Sequence, residues 1–196
     1  GPLALGDYDG DGDLDLFVGS RAIAMRYPVA ASSGLFRNIA GRFELDPENS
    51  ASLREIGMVS AALFADIDSD GDPDLLLARE WGSILLLLNQ AGRFAPAAAS
   101  WGLERWTSRW NGLGAGDLDG DGRLDLVATS WGRNTVARAD SARPLMLVHG
   151  PFGAGGEEEM LLARQDARVN GLAPLTSFAQ VRVAVPAIAT RFRSFG

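Results

Sequence analysis

One acidic phrase, written three times, constrains this chain more than any other feature. GDYDGDGDLDLFVG (6–19) places Asp7, Asp9, Asp11, Asp13 and Asp15 on alternate positions, and it returns as DIDSDGDPDLLLA (66–78) and DLDGDGRLDLVAT (117–129). The first aspartates of the copies are separated by 59 and then 51 residues. A second phrase shares the spacing: LFRNIAGRF (35–43) matches LLLNQAGRF (86–94), again 51 residues on. Two different motifs keeping one period mark a repeat protein, in which each unit must stack on its neighbours to bury a core.

Within one unit the elements read as strands. MVSAALFAD (58–66) leads into the acidic phrase and DLLLAR (74–79) leaves it. SILLLLN (83–89) follows Trp81-Gly82, and Gln90-Ala91-Gly92 turns the chain into RFAPA (93–97). Short apolar runs bounded by Gly, Asn and Asp are strand and hairpin signals. The unbroken apolar run Ile84 to Leu88 suits a strand covered on both faces. Four antiparallel strands in about fifty residues match one blade of a β-propeller. The expected fold class is therefore all-β, a partial or fragmentary β-propeller of four-stranded antiparallel blades, with a short helical segment at the C-terminal end.

Carboxylates this crowded repel one another when ionised, so an offsetting charge is needed. Counted from the first Asp of each copy, positions 1, 3, 5 and 9 are Asp throughout: Asp7, Asp9, Asp11, Asp15; Asp66, Asp68, Asp70, Asp74; Asp117, Asp119, Asp121, Asp125. Position 6 is always Gly, where a tightly wound loop needs positive φ. Position 7 varies as Asp13, Asp72 and Arg123. This is the pattern expected of a Ca²⁺ loop. The ion is hard and takes 6–8 oxygen ligands in flexible geometry. Position 7 would offer its main-chain carbonyl, which Arg123 supplies as well as Asp. A solvated acidic turn explains one such phrase but not three with the same pattern. An EF-hand needs a bidentate Glu at position 12 and flanking helices; position 12 is Val18, Leu77 and Ala128, in strand-like surroundings.

The D-x-D-x-D-G-x-x-D-L phrase followed by a strand resembles the FG-GAP (VCBS) repeat of integrin α-subunit propellers and many bacterial secreted proteins. LFRNIAGRF and the trailing AAASWGL (97–103) resemble the cartilage-acidic-protein-like branch of that family, over about residues 3–130. The resemblance implies one Ca²⁺ in the loop between the first two strands of each blade, about three ions here. It also implies a propeller, seven-bladed in most members, that is secreted, on the cell surface or periplasmic. Two full units and parts of others are too few to close such a ring, so the expectation is a piece of a longer product or an incomplete propeller.

Composition narrows the function classes. There is no cysteine, which removes disulfides, thiolate sites and cysteine nucleophiles together. All 18 basic residues are Arg, and the net charge of −7 opposes a nucleic-acid partner. Fourteen of the 17 aspartates lie in the three acidic phrases, so the acidity is local. No apolar run approaches the ~18 residues of a membrane span.

The propeller region is read as 1–160, with calcium loops at 7–15, 66–74 and 117–125, and the C-terminal segment as 161–196. GPFGAGGEEE (150–159) is either a fourth copy that has lost three side-chain ligands, with Pro151, Gly153 and Gly155 at positions 1, 3 and 5, or an unrelated Gly-rich loop. Phe178, Val181, Val185, Ile188 and Phe192 recur at helical spacing, which places a helix near 178–193. Ser177 and Gln180 have capping-box spacing, and Pro186 kinks that helix or starts a second.

The five Trp lie between 81 and 131. Trp81 and Trp131, each before a Gly, are expected to pack between blades; Trp106 and Trp110 are the best ligand-contact candidates. His149 is the only histidine, and no triad, P-loop or dinucleotide motif is present. The expected function is a non-enzymatic calcium-binding module for extracellular binding, adhesion or scaffolding, with calcium and a protein or polysaccharide ligand as partners. The alternative is a propeller hydrolase or lyase acting on polysaccharide, for which Glu80, Glu104 and Arg109 are the only acid/base candidates.

Overall fold

The alternating apolar residues on either side of each acidic phrase pair as an antiparallel hairpin, and the hairpin is the seed of each sheet. The computed structural model describes residues 1–132, 135, 137, 139, 142–153 and 155–194. Ala154 of the candidate fourth copy lies outside them. The chain forms two compact units, Gly1–Ile23 with Val29–Trp131, and Ala24–Pro28 with Gly132–Gly196.

In the first unit, β1 (Leu3–Gly6), β2 (Asp15–Val18), β3 (Gly34–Ile39) and β4 (Arg42–Leu45) form a four-stranded antiparallel sheet in chain order. A short helix, α1 (Pro47–Ser52), follows. The second blade is β5 (Met58–Ala65), β6 (Asp74–Ser83), β7 (Leu85–Gln90) and β8 (Arg93–Pro96). The third begins with β9 (Thr107–Gly116) and β10 (Asp125–Ser130). The protein is thus built of antiparallel β-sheet with a few short helices. Its first sheet and the run β5 to β8 are propeller-like blades of four strands. No helix among the described residues is long and apolar enough to cross a membrane.

The sequence reading ends the second strand of the second blade at Arg79 and starts the next at Ser83, after Trp81-Gly82. Instead β6 runs on to Ser83 through an irregularity at Glu80/Gly82, where Trp81 takes a positive φ of 63°. The extra residue is a bulge, and it bends the strand so that its far half gains another partner. At Glu80 the strand pairs Met58 of β5 on one edge and Arg109 of β9 on the other. The second and third blades therefore share one six-stranded sheet, ordered β10-β9-β6-β7-β8 with β5 also on β6.

Leu75, Leu76, Leu77 and Ala78 of β6 are all fully buried, so both faces of that strand are covered. Leu86 and Leu87 of β7 are buried in the same way, as the run from Ile84 to Leu88 requires. One core spans the first two blades, with Tyr8, Phe17 and Leu35 of the first packed with Val59, Leu75, Leu77 and Leu87 of the second. Tyr8 leaves the first acidic loop and enters this core beside Phe94 and Phe64, with ring centroids 5.4 and 6.3 Å away.

The second unit holds β11 (Met146–Gly150), β12 (Glu159–Asp166) and β13 (Gly171–Pro174) as a three-stranded antiparallel sheet, then α2 (Phe178–Ala184) and α3 (Pro186–Arg191). Ser177 caps α2 with a capping box, and Val181 is its buried residue. Pro186 occupies the first turn of a separate helix, which its missing N–H permits. The sequence reading sets its boundary at 160/161. The structure groups 132–196 together because the hairpin of β11 and β12 closes a sheet with β13.

Gly6, the residue before the first acidic loop, sits under Phe64 of the neighbouring blade. A Cβ there would come within 2.6 Å of the Phe64 ring. Gly6→Ala is expected to lower stability by about 1–3 kcal/mol through overpacking. Gly114→Ala in β9, whose Cβ would meet nothing within 4 Å, serves as the matched control. Urea unfolding of the two variants checks this, and equal midpoints would refute it.

Candidate metal centres

The three acidic phrases fold alike because the carboxylates at positions 1 and 5 satisfy the amides of the turn they sit in. At position 1, Asp7 accepts the amides of Gly10 and Gly12 (both 2.9 Å), Asp66 those of Asp70 and Gly71 (both 3.1 Å), and Asp117 those of Gly120 and Gly122 (2.7 and 3.0 Å). At position 5, Asp11, Asp70 and Asp121 each accept the amide two residues on, from Asp13, Asp72 and Arg123 (2.8–2.9 Å). The position-6 glycines Gly12, Gly71 and Gly122 have φ of 94°, 99° and 84°, as the winding requires.

Position 9 works across the blade. One oxygen of Asp15 accepts the amide of Tyr8 (3.1 Å) and the other that of Asn38 on β3 (2.8 Å). Asp74 does the same with Ile67 and Asn89 (both 2.9 Å), and Asp125 accepts the amide of Leu118 (3.0 Å). Asp15 and Asp74 are fully buried. Burial pushes both carboxyls above the usual carboxylate range, helped by the charges of Asp9 and Asp11 on Asp15 and of Asp68 on Asp74, and opposed by the donated amides.

Each loop brings three carboxylates together with one oxygen apiece within 4.8 Å of the others. The groups are Asp7, Asp9 and Asp15; Asp66, Asp68 and Asp70; and Asp117, Asp119 and Asp125. Asp11, Asp13, Asp72, Asp74 and Asp121 are not in these groups. Asp11 and Asp121 each accept the amide two residues on at Oδ1, as Asp70 does within its group; Asp74 is held by its two amides, and Asp72 accepts the amide of Ala91 (3.0 Å). Arg123 places its amide on Asp121.

The first group is the most enclosed, and there Asp9 Oδ1 is buried with no hydrogen-bond donor. A buried carboxylate oxygen left without a partner is costly, and a cation is a partner that suits it. All the donors are hard carboxylate oxygens, the set that Ca²⁺ and Mg²⁺ prefer. In the second group, burial and then the charge of Asp70 push the Asp68 carboxyl up. The residues present therefore fit a hard metal ion.

The candidate fourth loop has the hairpin register of the others. The residue before position 1 pairs with position 9 in all four: Gly6 with Asp15, Ala65 with Asp74, Gly116 with Asp125 and Gly150 with Glu159. Its interior differs. The Glu157 carboxylate turns inward and accepts the amide of Gly155 (2.7 Å), filling the space beside Gly153 and Gly155 where a Cβ would meet it at 2.7 and 2.6 Å. Among the described residues, the only groups of three or more candidate ligands are the three in the aspartate loops.

Two networks beside the loops were missed in the sequence. Buried Asp46 caps α1 through the amides of Glu48 and Asn49, accepts the Tyr8 hydroxyl (3.0 Å) and pairs with Arg37 (3.1 Å). The signal was local, an Asp directly before Pro47, since Pro favours the first helical position. Buried Glu80 takes Arg21 on one oxygen (2.7 Å) and Arg109 on the other (2.9 Å), and the Arg109 guanidinium lies between the rings of Trp81 and Trp131 at 5.2 and 5.1 Å. Trp106 is 58% exposed and accepts the Trp110 indole N–H at its carbonyl.

Residues 7–77 and 66–128 each match a family model described as an FG-GAP-like repeat. The chain belongs to the FG-GAP-like repeat family. The two matches overlap on the second acidic loop and together take in all three, so the FG-GAP-like units coincide with the hairpins and groups above. The chain is a β-propeller-type module by this family and by its four-stranded blades. No curated protein matches it.

Burial alone would raise the Asp46 carboxyl, but the bonds from Asn49 and Tyr8 and the Arg37 charge outweigh it and hold the carboxyl below its ordinary value. Its contribution is present above the unfolded-state pKa, near ~3.9, and is lost as pH falls through the lower folded value. Melting temperatures of the protein and of Asp46→Asn should differ most near neutral pH and converge as the medium is acidified. A constant gap down to about pH 2 would contradict it.

Proposed function

We propose that this FG-GAP-like module binds Ca²⁺ in its three aspartate loops, that the ions are structural, and that it serves binding or scaffolding outside the cytoplasm without catalysing a reaction. The observation that carries the metal reading is the first loop, where Asp7, Asp9 and Asp15 converge and Asp9 Oδ1 is buried with no donor. An ion there offsets the mutual repulsion of the carboxylates and ties β1 to β2 and, through Asp15, to β3. Asp66, Asp68 and Asp70, and Asp117, Asp119 and Asp125, would hold the others, with the Asp13, Asp72 and Arg123 carbonyls completing the shells. Calcium is favoured over magnesium because crowded, flexible carboxylate loops suit its larger and less regular coordination sphere.

The non-enzymatic reading is supported by Glu80, the one acid/base candidate that is buried. Both its oxygens are committed to Arg21 and Arg109, so it has no lone pair directed at a substrate. An extracytoplasmic setting is in keeping with the FG-GAP-like family, and calcium there reaches the ~10⁻⁴–10⁻³ M at which extracellular modules typically bind it. A protein or polysaccharide is the proposed ligand.

Binding to the native state alone stabilises it by mass action. At 10 mM Ca²⁺ and a Kd near ~10⁻⁴ M the gain is about 2.7 kcal/mol per site, so calcium should raise the melting temperature by several degrees and excess chelator should reverse it. Asp7→Asn with Asp9→Asn should remove one site from a calorimetric titration. No uptake at millimolar calcium would overturn the proposal.

A further inference from the structure

The side chain of Asn89 bonds to both of the first two aspartate loops. Asn89 is fully buried. Its Nδ2 donates to the Tyr8 carbonyl (2.8 Å) and to the Pro73 carbonyl (3.1 Å), and its Oδ1 accepts the Gly92 amide (2.9 Å). The Tyr8 carbonyl belongs to the peptide that carries the Asp9 N–H, and the Pro73 carbonyl to the peptide that carries the Asp74 N–H. Asn89 also donates its own amide to Asp74 Oδ1 (2.9 Å). One carboxamide thus fixes the peptide entering Asp9, a ligand candidate of the first loop, and the peptide entering Asp74, the anchor of the second.

The neighbourhood transmits displacement because little in it can give. A Cβ on Gly92 would stand 3.4 Å from Asp9 Cβ, so the turn that receives Asn89 Oδ1 is packed on Asp9 itself. The Gly92 carbonyl accepts from Asn49 (2.9 Å), whose Oδ1 accepts the Phe94 amide (3.2 Å). The hairpin of β7 and β8 is therefore held on the first blade from both sides of its turn, by the Tyr8 carbonyl of the loop and by Asn49 of α1. Ala91, in that same turn, donates its amide to Asp72 of the second loop (3.0 Å).

We infer that Asn89 is a positioning residue that couples the first two metal loops, so that they fill with positive cooperativity. This rests on the calcium reading above. Calcium in the second loop draws Asp66, Asp68 and Asp70 together and steadies the segment from Asp72 to Asp74. Steadying Pro73 and Asp74 steadies the Asn89 carboxamide, and that in turn orders the Tyr8–Asp9 peptide before the first loop has its ion. The first ion then meets a loop whose ordering cost has already been met, which is cooperativity by pre-ordering. Linkage makes the effect reciprocal.

The test is a calorimetric cycle on the full chain with the third loop silenced by Asp117→Asn and Asp119→Asn. Calcium affinity of the first loop is measured with the second loop intact and with it silenced by Asp66→Asn and Asp68→Asn. Silencing is expected to weaken the first loop at least 5-fold, the lower end of ordinary coupling. In Asn89→Ala the first-loop affinity should be the same in both backgrounds, and melting in excess chelator shows whether that variant is folded. If it is not, the comparison with Asn89 in place decides alone. Two sites that fill independently with Asn89 present would overturn the coupling and leave the calcium reading standing. Full coupling in folded Asn89→Ala would overturn the role of Asn89. Absence of any calcium uptake would overturn the calcium reading first.

Discussion

The first two blades depend on a buried carboxylate at the ninth position of their acidic phrases. Asp15 and Asp74 sit where a hairpin closes and spend their two oxygens on two different parts of the backbone, the start of the loop and the third strand. An aspartate in a dry place is expensive unless its lone pairs are used, so these positions specify a unique register. Slipping a strand by one residue would bury the charge with no donor and turn every apolar side chain of the strand to the wrong face. The remaining aspartates organise the turn, but the ninth defines which strands the turn joins.

Around that anchor the first three blades are joined by polar bonds in which each member is used more than once. Asn49 and Asn89 carry main-chain groups from one blade to the next, and Glu80 holds an arginine from the first blade on one oxygen and one from the third on the other. Removing one partner of such a buried pair leaves the other uncompensated, which costs more than the pair contributes. The two indoles flanking Arg109 shield it further, an arrangement favoured by the π faces of Trp81 and Trp131. The apolar core supplies the area, and these networks supply the alignment.

What could be read in the sequence was whatever repeats. The acidic phrases, the glycines with positive φ, the strands on either side and the second motif at LFRN and LLLN carry periodic signals, and the structure places hairpins there. Residues that act once left no such trace. Tyr8 is an ordinary variable position of the phrase, yet its ring enters the core; Asp46 looks like a surface turn residue, yet it is buried. The extension of β6 was hidden because its last residues pair with β9, whose partners Arg109, Ser108 and Thr107 lie far along the chain and leave no local signal. Which carboxylates converge was hidden too. All carry the same letter, and the amide bonds do not sort them, since Asp7, Asp66 and Asp117 each accept two loop amides and still face their groups. Asn89 was visible as part of a repeated phrase, and its counterpart Asn38 in the other copy makes the matching bond to the Leu14 carbonyl, but the reach to Tyr8 belongs to tertiary packing.

The sharing of β6 has a bearing on how the molecule opens. In a stack of separate blades, each can fray or detach with only its contact surface lost, and stability is close to a sum over neighbours. Here a single strand is hydrogen-bonded to members of two blades, Met58 and Arg109 on opposite edges of Glu80. Peeling the third blade away breaks main-chain pairs as well as side-chain contacts, so amides from β5 to β10 belong to one foldon that exchanges with solvent together. Between the first sheet and this larger one no strand among the described residues is shared, and there the common core and the bonds of Asn49, Asn89 and Glu80 hold the blades instead.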